Sequence, residues 1–383
     1  MRVLVIHNQL WAHYKSKLFS EIHQYLRKTE PESVFSVVHI ALHEASRSVM
    51  KDDESFKYEY PYEVLFNRSL DSVGFKERLS ALFKAFHQYQ PTVLNVTGYF
   101  DYAQVILMIY ARMKGVKIVL SSESSTLDHN RSAVKENIKS WIVNRADAFF
   151  CFGKSSADYL LSLGIKNSQI AVRHAAVIDE DVIKGNFDNA KNLIAIEKSF
   201  ETTRRFVYVG RLAEEKNLEL LIEAFKAVKK SSGKNNWELL LVGDGPARKT
   251  LERLSGDHIL NNSITFAGGH PWYKVPEWLA KSDVLILPSK SEPWGLVVNE
   301  AMVCAMPVIV SEKCGCVDDL VVNKENGFIF NPDNQKELEN AMQFFVEHPE
   351  LIESMGKQSI KLIQPFSSKN VAREMVACYK SLS

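Results

Sequence analysis

Two carboxylates eight positions apart, Glu292 and Glu300, flank the junction of a short strand and a helix in Ser291-Glu292-Pro293-Trp294-Gly295-Leu296-Val297-Val298-Asn299-Glu300. Upstream, the apolar run Val284-Leu285-Ile286-Leu287, stopped by Pro288, predicts a buried strand, and Leu296 to Met306 has helical composition that ends before Pro307. Glu292 is therefore expected in the loop and Glu300 inside the helix. The amides of Trp294, Gly295 and Leu296 are expected to face out of the helix start, where unpaired N–H groups and the positive end of the helix dipole favour an anion. Carboxylates accept hydrogen bonds from sugar hydroxyls, and amides hold phosphates. The chemistry fits a ligand carrying both, such as a nucleotide sugar, although taken alone two such acids read as a solvated loop residue and a surface helical one.

A second constellation lies in Phe206-Val207-Tyr208-Val209-Gly210-Arg211-Leu212-Ala213-Glu214-Glu215-Lys216-Asn217, an apolar strand, a glycine turn and two cations five residues apart. Gly210 lets the chain turn sharply, and Asn217 can begin an amphipathic helix over Leu218 to Val228. Arg211 and Lys216 would face the crevice at the strand's carboxyl end, where ligands bind in open α/β sheets. Glu238 to Val242 and Ile264 to Phe266 read as further strands, leading into Gly243-Asp244-Gly245-Pro246 and Ala267-Gly268-Gly269-His270.

From about Arg205 to the C-terminus these motifs resemble the family-4 retaining glycosyltransferases. Serine, proline, an aromatic residue, Gly, Leu and Val around the two acids are similar to the family's donor-site signature; Arg211 and Lys216 are similar to its diphosphate clamp; and Asn326-Gly327-Phe328-Ile329-Phe330 resembles the stretch before its final helices. The resemblance implies transfer of a sugar from a nucleotide diphosphate sugar to an acceptor hydroxyl with retention of anomeric configuration. It places Gly210, Arg211, Lys216, Gly243, Gly268, Glu292, Trp294, Gly295, Leu296, Val297 and Glu300 around the donor, Glu300 on the ribose and Glu292 on the transferred sugar. As the bond to phosphate breaks, negative charge grows on the β-phosphate oxygens; Arg211, Lys216 and the helix start after Trp294 would stabilise it, which leaves a divalent metal unnecessary and no cofactor expected. Asp179-Glu180-Asp181 is formally a D-x-D sequence but reads as a surface acid run.

The N-terminal half departs from that pattern. Many members carry a glycine pair after the first strand, whereas here the loop reads His7-Asn8-Gln9-Leu10-Trp11-Ala12-His13-Tyr14. Many place a histidine after the fourth strand, whereas here the chain reads Leu120-Ser121-Ser122-Glu123-Ser124-Ser125-Thr126. Glu123 stands about where that histidine would be, and joins Arg211, Lys216 and Glu292 as a catalytic candidate, to bond the donor sugar, take a proton from the acceptor hydroxyl, or merely cap. His7, His13, Asp128, His129 and Arg131 are weaker candidates. Trp11, Tyr14, Lys15, Lys17, Tyr99, Phe100 and Tyr102 could receive a saccharide or lipid-linked acceptor, or simply cover the core.

The elements needed to position these residues form two series. Val3–Ile6, Phe35–His39, Val93–Val96, Ile118–Leu120, Ala148–Phe152 and Ile170–Val172 read as strands, with helices Lys15–Arg27, Phe75–Tyr89, Tyr102–Lys114 and Ala133–Asn144 among them; the second series begins at Phe206. The fold class expected is α/β, GT-B: two doubly wound Rossmann-like domains facing each other across a cleft. Residues 1–178 form the expected acceptor domain, 179–204 an irregular linker, 205–365 the nucleotide-sugar domain and 366–383 a C-terminal helix packing back on the first domain.

With 383 residues and a net charge of +1, the chain is long enough for two cores and has no overall field to draw nucleic acid. Without a run of eighteen apolar residues it is expected to be cytoplasmic, with a place at the inner membrane face open because Lys15–Arg27 has some basic amphipathic character. Five cysteines, Cys314-Gly315-Cys316 among them, read as reduced and structural. Uridine diphosphate sugars are favoured as donor by frequency alone, guanosine diphosphate sugars next, and polysaccharide, lipopolysaccharide or glycolipid assembly follows from the family's habits. The alternatives are a donor-binding module without catalysis and a nucleotide-sugar epimerase on the same fold.

Overall fold

Short apolar runs that are buried on both faces, such as Val93–Thr97 and Ala148–Cys151, belong to parallel sheets covered by helices on either side. The computed structural model describes residues 1–44, 57–123, 133–197, 203–231, 236–257, 259–260 and 263–383, and the chain divides into two units. The first comprises Met1–Asp179 with Pro365–Ser383. Its strands are β1 (Arg2–Gln9), β2 (Val34–His43), β3 (Tyr62–Ser69), β4 (Val93–Thr97), β5 (Lys117–Ser122), β6 (Ala148–Cys151) and β7 (Ile170–Val172). All pair in parallel in the order β3-β2-β1-β4-β5-β6-β7, so the order reverses between β1 and β4. Helices α1 (His13–Thr29), α2 (Phe75–Tyr89), α3 (Tyr102–Met113), α4 (Ala133–Val143) and α5 (Lys154–Ser162) fall between strands.

One expectation is corrected in this unit, and one strand is added to it. The stretch His7 to Gln9 is strand, because β1 continues its pairing as far as Gln9 opposite Ala41 and the ladder is extended by Leu10 N and Trp11 N onto Ala41 O and Leu42 O, both at 3.0 Å. The edge strand β3, not expected from the sequence, is half-buried from Glu63 to Phe66 and exposed at Asn67 and Arg68, and so lacks the continuous apolar run that marks the central strands.

The second unit is Glu180–Gln364. It contains α6 (Glu180–Glu197), β8 (Arg204–Val209), α7 (Leu218–Ser231), β9 (Trp237–Val242), α8 (Arg248–Ser255), β10 (Ile264–Gly268), α9 (Val275–Leu279), β11 (Val284–Leu287), α10 (Leu296–Val303), β12 (Val308–Ser311), α11 (Val317–Leu320), β13 (Gly327–Phe330), α12 (Gln335–Glu347) and α13 (Ile352–Ile363). Among the described residues its parallel sheet runs β10-β9-β8-β11-β12-β13, reversing between β8 and β11. The last helix of the chain, α14 (Ser368–Leu382), returns to the first unit, where it packs on α1 and its Tyr379 hydroxyl accepts from Asn95 Nδ2 at 2.7 Å.

The irregular linker expected over 179–204 is a helix over most of its length. In α6, Ile183 and Phe187 are buried against α9 and α10, and Glu180 and Asp181 sit in the first turn, where acids favour the helix dipole; together these outweigh the ordinary cost of Gly185. Asp179 is buried, Glu180 half-buried and Asp181 exposed, so the reading of Asp179-Glu180-Asp181 as a surface run is corrected at Asp179. The helix after Glu292 ends at Val303 rather than Met306, because Ala305 adopts φ 57° and Met306 N turns back onto Ala301 O at 3.0 Å.

Candidate functional site

Both sequence constellations meet where the second sheet reverses. The strands β8 and β11 lie side by side, and Gly210-Arg211 and Pro288-Ser289 leave from their carboxyl ends, the place where open α/β sheets bind ligands. Lys290 N donates to Glu215 O at 2.8 Å, which ties the two loops together. Across them Lys216 Nζ donates to Glu292 Oε2 at 2.5 Å, an ion pair whose side chains are 15% and 18% exposed. Arg211, largely exposed, pairs with Glu215. Each cation is thus held by an acid. Beneath them the buried Tyr208 hydroxyl donates to Arg211 O at 2.8 Å and fixes the turn; burial pushes its phenol pKa up, with Glu292 and Glu215 adding to the effect.

The glycine loops are a single bonded assembly. Gly210 N donates to Val242 O at 2.9 Å, Leu212 N to Asp244 O at 2.9 Å and Gly243 N to Gly268 O at 2.8 Å, so the ends of β8, β9 and β10 are fixed against one another. Gly243 has φ 142°, and a Cβ there would lie 1.9 Å from Gly210 O. Gly243→Ala is therefore expected to destabilise the protein by about 2 kcal/mol or more, through a left-handed conformation and a backbone clash no rotamer relieves; chemical denaturation would show it as a lower midpoint.

Glu292 is strapped from the far side. Its N donates to Lys313 O at 3.2 Å, Gly315 N donates to Glu292 O at 2.9 Å and Cys316 N to Trp294 O at 3.2 Å, so the loop after β12 runs alongside residues 292–294. Cys314 and Cys316 are free and buried, and burial pushes both thiols up. The sequence marks this segment only by its cysteines, and its work is done by backbone. Trp294 is also buried, its indole donating to Asn299 Oδ1 at 2.9 Å, so its ring serves packing and its main chain faces the loop.

Gly295 caps α10 with φ 97°, where a Cβ would meet Leu287 Cδ2 at 2.6 Å, and the helical ladder opens with Val298 N onto Gly295 O. The amides of Leu296 and Val297, both half-buried, precede that ladder. One turn on, Glu300 is buried with no ion partner among the described residues, and burial pushes its carboxyl up to about 8. Asn217 directly precedes α7, as expected, and its O accepts from Leu221 N at 3.4 Å; it adopts φ 58° and its Nδ2 donates to Pro332 O at 2.8 Å.

Residues 189–362 match the glycosyl transferases group 1 family. The match lies within the second unit and spans both constellations. Alpha-D-kanosaminyltransferase of Streptomyces kanamyceticus is 30% identical over 171 residues, 45% of this chain and 44% of its own length. Sulfoquinovosyl transferase SQD2 of Arabidopsis thaliana is 26% identical over 260 residues, 64% of this chain and 48% of its own. The chain spans about half the length of these curated relatives. A crystal structure of Anabaena HepE in complex with UDP covers 100% of both chains with a TM-score of 0.75 and 18% identity, a likeness of fold. The two parallel-sheet, Rossmann-like units are thus the fold of GT-B glycosyltransferases.

In the first unit the candidates scatter. Glu123 follows β5, is half-exposed and pairs with Lys15 at 2.9 Å. His7 is a core residue whose Nδ1 donates to Gln9 O at 2.8 Å, and His13 opens α1 with its ring edge-on to Tyr14. Trp11 stacks on His43 with centroids 4.6 Å apart, Tyr99 is buried, and Phe100 and Tyr102 are exposed. Lys17 pairs with Glu21 at 2.8 Å and Lys15 is buried. Asp128, His129 and Arg131, with Ser124-Ser125-Thr126, lie outside the described residues. No helix among the described residues is long and apolar enough to cross a membrane.

Proposed function

We propose that this protein is a retaining glycosyltransferase of family 4, moving a sugar from a nucleoside diphosphate sugar to an acceptor hydroxyl. The observation that carries the reading is the Lys216–Glu292 pair at the switch point between β8 and β11, with Arg211 and the start of α10 beside it. A diphosphate arriving there meets two cations and the leading amides of α10; the acids those cations release are then free to accept hydrogen bonds from hydroxyls. Arg211, Lys216 and the amides stabilise the charge that grows on the leaving diphosphate, Glu292 holds the transferred sugar, and Glu300 holds the ribose. That clamp supplies the neutralisation a divalent ion would otherwise provide. Gly210, Gly243 and Gly268 shape the nucleotide pocket, and Leu296 and Val297 present amides to the phosphates. The first unit takes the acceptor, with Glu123 its leading polar group. A uridine diphosphate donor is supported by the UDP in the HepE crystal.

Thermal melting against UDP, GDP, ADP and their sugars, with and without a chelator, tests the donor site. A nucleotide at a hundredfold excess over its Kd stabilises the folded state by about 2.7 kcal/mol. The expected result is a chelator-insensitive rise with uridine nucleotides, followed by a transfer product whose anomeric configuration matches the donor's. No rise with any nucleotide would overturn the site, and a rise without turnover would leave a donor-binding module.

A further inference from the structure

We infer that Lys15 is a positioning residue that holds the Glu123 carboxylate over the switch point of the first unit's sheet, as the group that meets the acceptor hydroxyl. This rests on the glycosyltransferase reading and adds to it a residue outside the donor motifs. The sheet order reverses between β1 and β4, which makes their carboxyl ends the favoured ligand crevice of this unit. Lys15 lies in the first turn of α1, just after β1; Glu123 is the first residue after β5. To join them, the lysine reaches past the end of β4, and its Nζ lies 2.9 Å from Glu123 Oε1.

The environment of this lysine is costly. Its side chain is 6% exposed, while Glu123 is 46% exposed, so the cation is desolvated and the carboxylate is presented to solvent. A cation in the first turn of a helix also opposes the dipole, and α1 carries no acid in that turn and no side-chain cap. The Phe152 ring, with its centroid 4.4 Å from Nζ, recovers part of this. Around the small cavity that Lys15 lines, the neighbouring polar side chains serve one another: Ser121 Oγ donates to Asn95 Oδ1 at 3.0 Å and Asn95 Nδ2 donates to Tyr379. A leucine or methionine would fill such a place at less expense, and local rules broken in this way concentrate at functional sites. The ammonium, at 2.9 Å, fixes the direction of the Glu123 carboxylate. The acceptor hydroxyl donates to the Glu123 carboxylate, which orients the acceptor oxygen within the first unit.

UDP release from UDP-glucose, with n-octyl β-D-glucopyranoside as hydroxyl acceptor, tests this in wild type, Lys15→Met, Lys15→Arg, Glu123→Gln and Lys15→Met with Glu123→Gln. Lys15→Met is expected to lower kcat by about tenfold to thirtyfold with the KM for UDP-glucose within about twofold, Lys15→Arg to restore most of the loss, and Lys15→Met to cost nothing further once Glu123 is glutamine. Wild-type kcat in Lys15→Met, additive losses in the double variant, or full activity in the exposed Glu123→Gln while Lys15→Met fails to fold would each overturn the positioning role alone. A wild-type protein stabilised by UDP-glucose that releases no UDP would overturn the transferase reading, and this role with it.

Discussion

Alanine in place of Lys216 is expected to lower the rate of sugar transfer on the order of a hundredfold, a loss of about 3 kcal/mol of transition-state stabilisation. Two effects combine. The ammonium is the less exposed of the two clamp cations, so its field on a diphosphate is screened less than that of the exposed Arg211. Its removal also leaves Glu292 without the partner that now holds it at 2.5 Å, so the carboxylate meant for the sugar hydroxyls loses its direction and repels the phosphates. The loss should therefore fall mainly on kcat at saturating donor, because charge on the leaving group is greatest in the transition state. Lys216→Ala and Glu292→Gln should be less than additive when combined, since each already breaks the same pair. Steady-state rates with a saturating uridine diphosphate sugar decide it. A Lys216→Ala protein with the wild-type melting midpoint and wild-type kcat would remove Lys216 from the mechanism.

The parts of this protein legible in its sequence are those set by local chemistry. The strands β1, β4, β5 and β11 are apolar runs because both their faces are covered, and Arg211, Lys216 and Glu292 are recognisable because each follows a strand at a turn residue. What is not legible is which side chains find one another. That Lys216 closes on Glu292, rather than standing open toward a ligand, depends on β8 and β11 being neighbours in the sheet although they are far apart in the chain. The strap of Cys314-Gly315-Cys316 along residues 292–294 is made of main-chain bonds to which cysteine identity contributes nothing. Lys15 reads as one of several residues that could meet an acceptor or simply cover the core; only the return of the chain after β5 and β6 places it between Glu123 and Phe152. The helix α6 hides for a different reason: its buried Ile183 and Phe187 are few among polar residues and glycine, so its periodicity is weak.

Glutamine in place of Glu300 is expected to flatten a fall in stability that the wild-type protein shows as pH rises from about 4.5 to about 8. Burial raises the Glu300 carboxyl from its ordinary 4.5 to about 8. Across that window the folded chain holds a proton that the unfolded chain has lost, so the proton count of the unfolded state is the smaller and stability declines with rising pH. The contribution is fully present below the unfolded value and gone above the folded one. At 1.36 kcal/mol per pH unit the whole decline is on the order of 5 kcal/mol, an upper bound because water or a small shift of α10 would relieve part of it. Other groups titrate over the same range, so the quantity to measure is the difference between the wild-type and Glu300→Gln melting curves at each pH. A nucleotide enters the same balance. Ribose hydroxyls that donate to the carboxylate favour its ionised form, so binding to the wild-type protein should release a proton near neutrality and tighten as pH approaches 8, while binding to Glu300→Gln should be weaker and insensitive to pH. Calorimetry of UDP in two buffers of different ionisation enthalpy reads that proton directly. Parallel stability curves for the two proteins would show that Glu300 is ionised in the folded state, and pH-independent binding of UDP to the wild type would take the ribose away from Glu300.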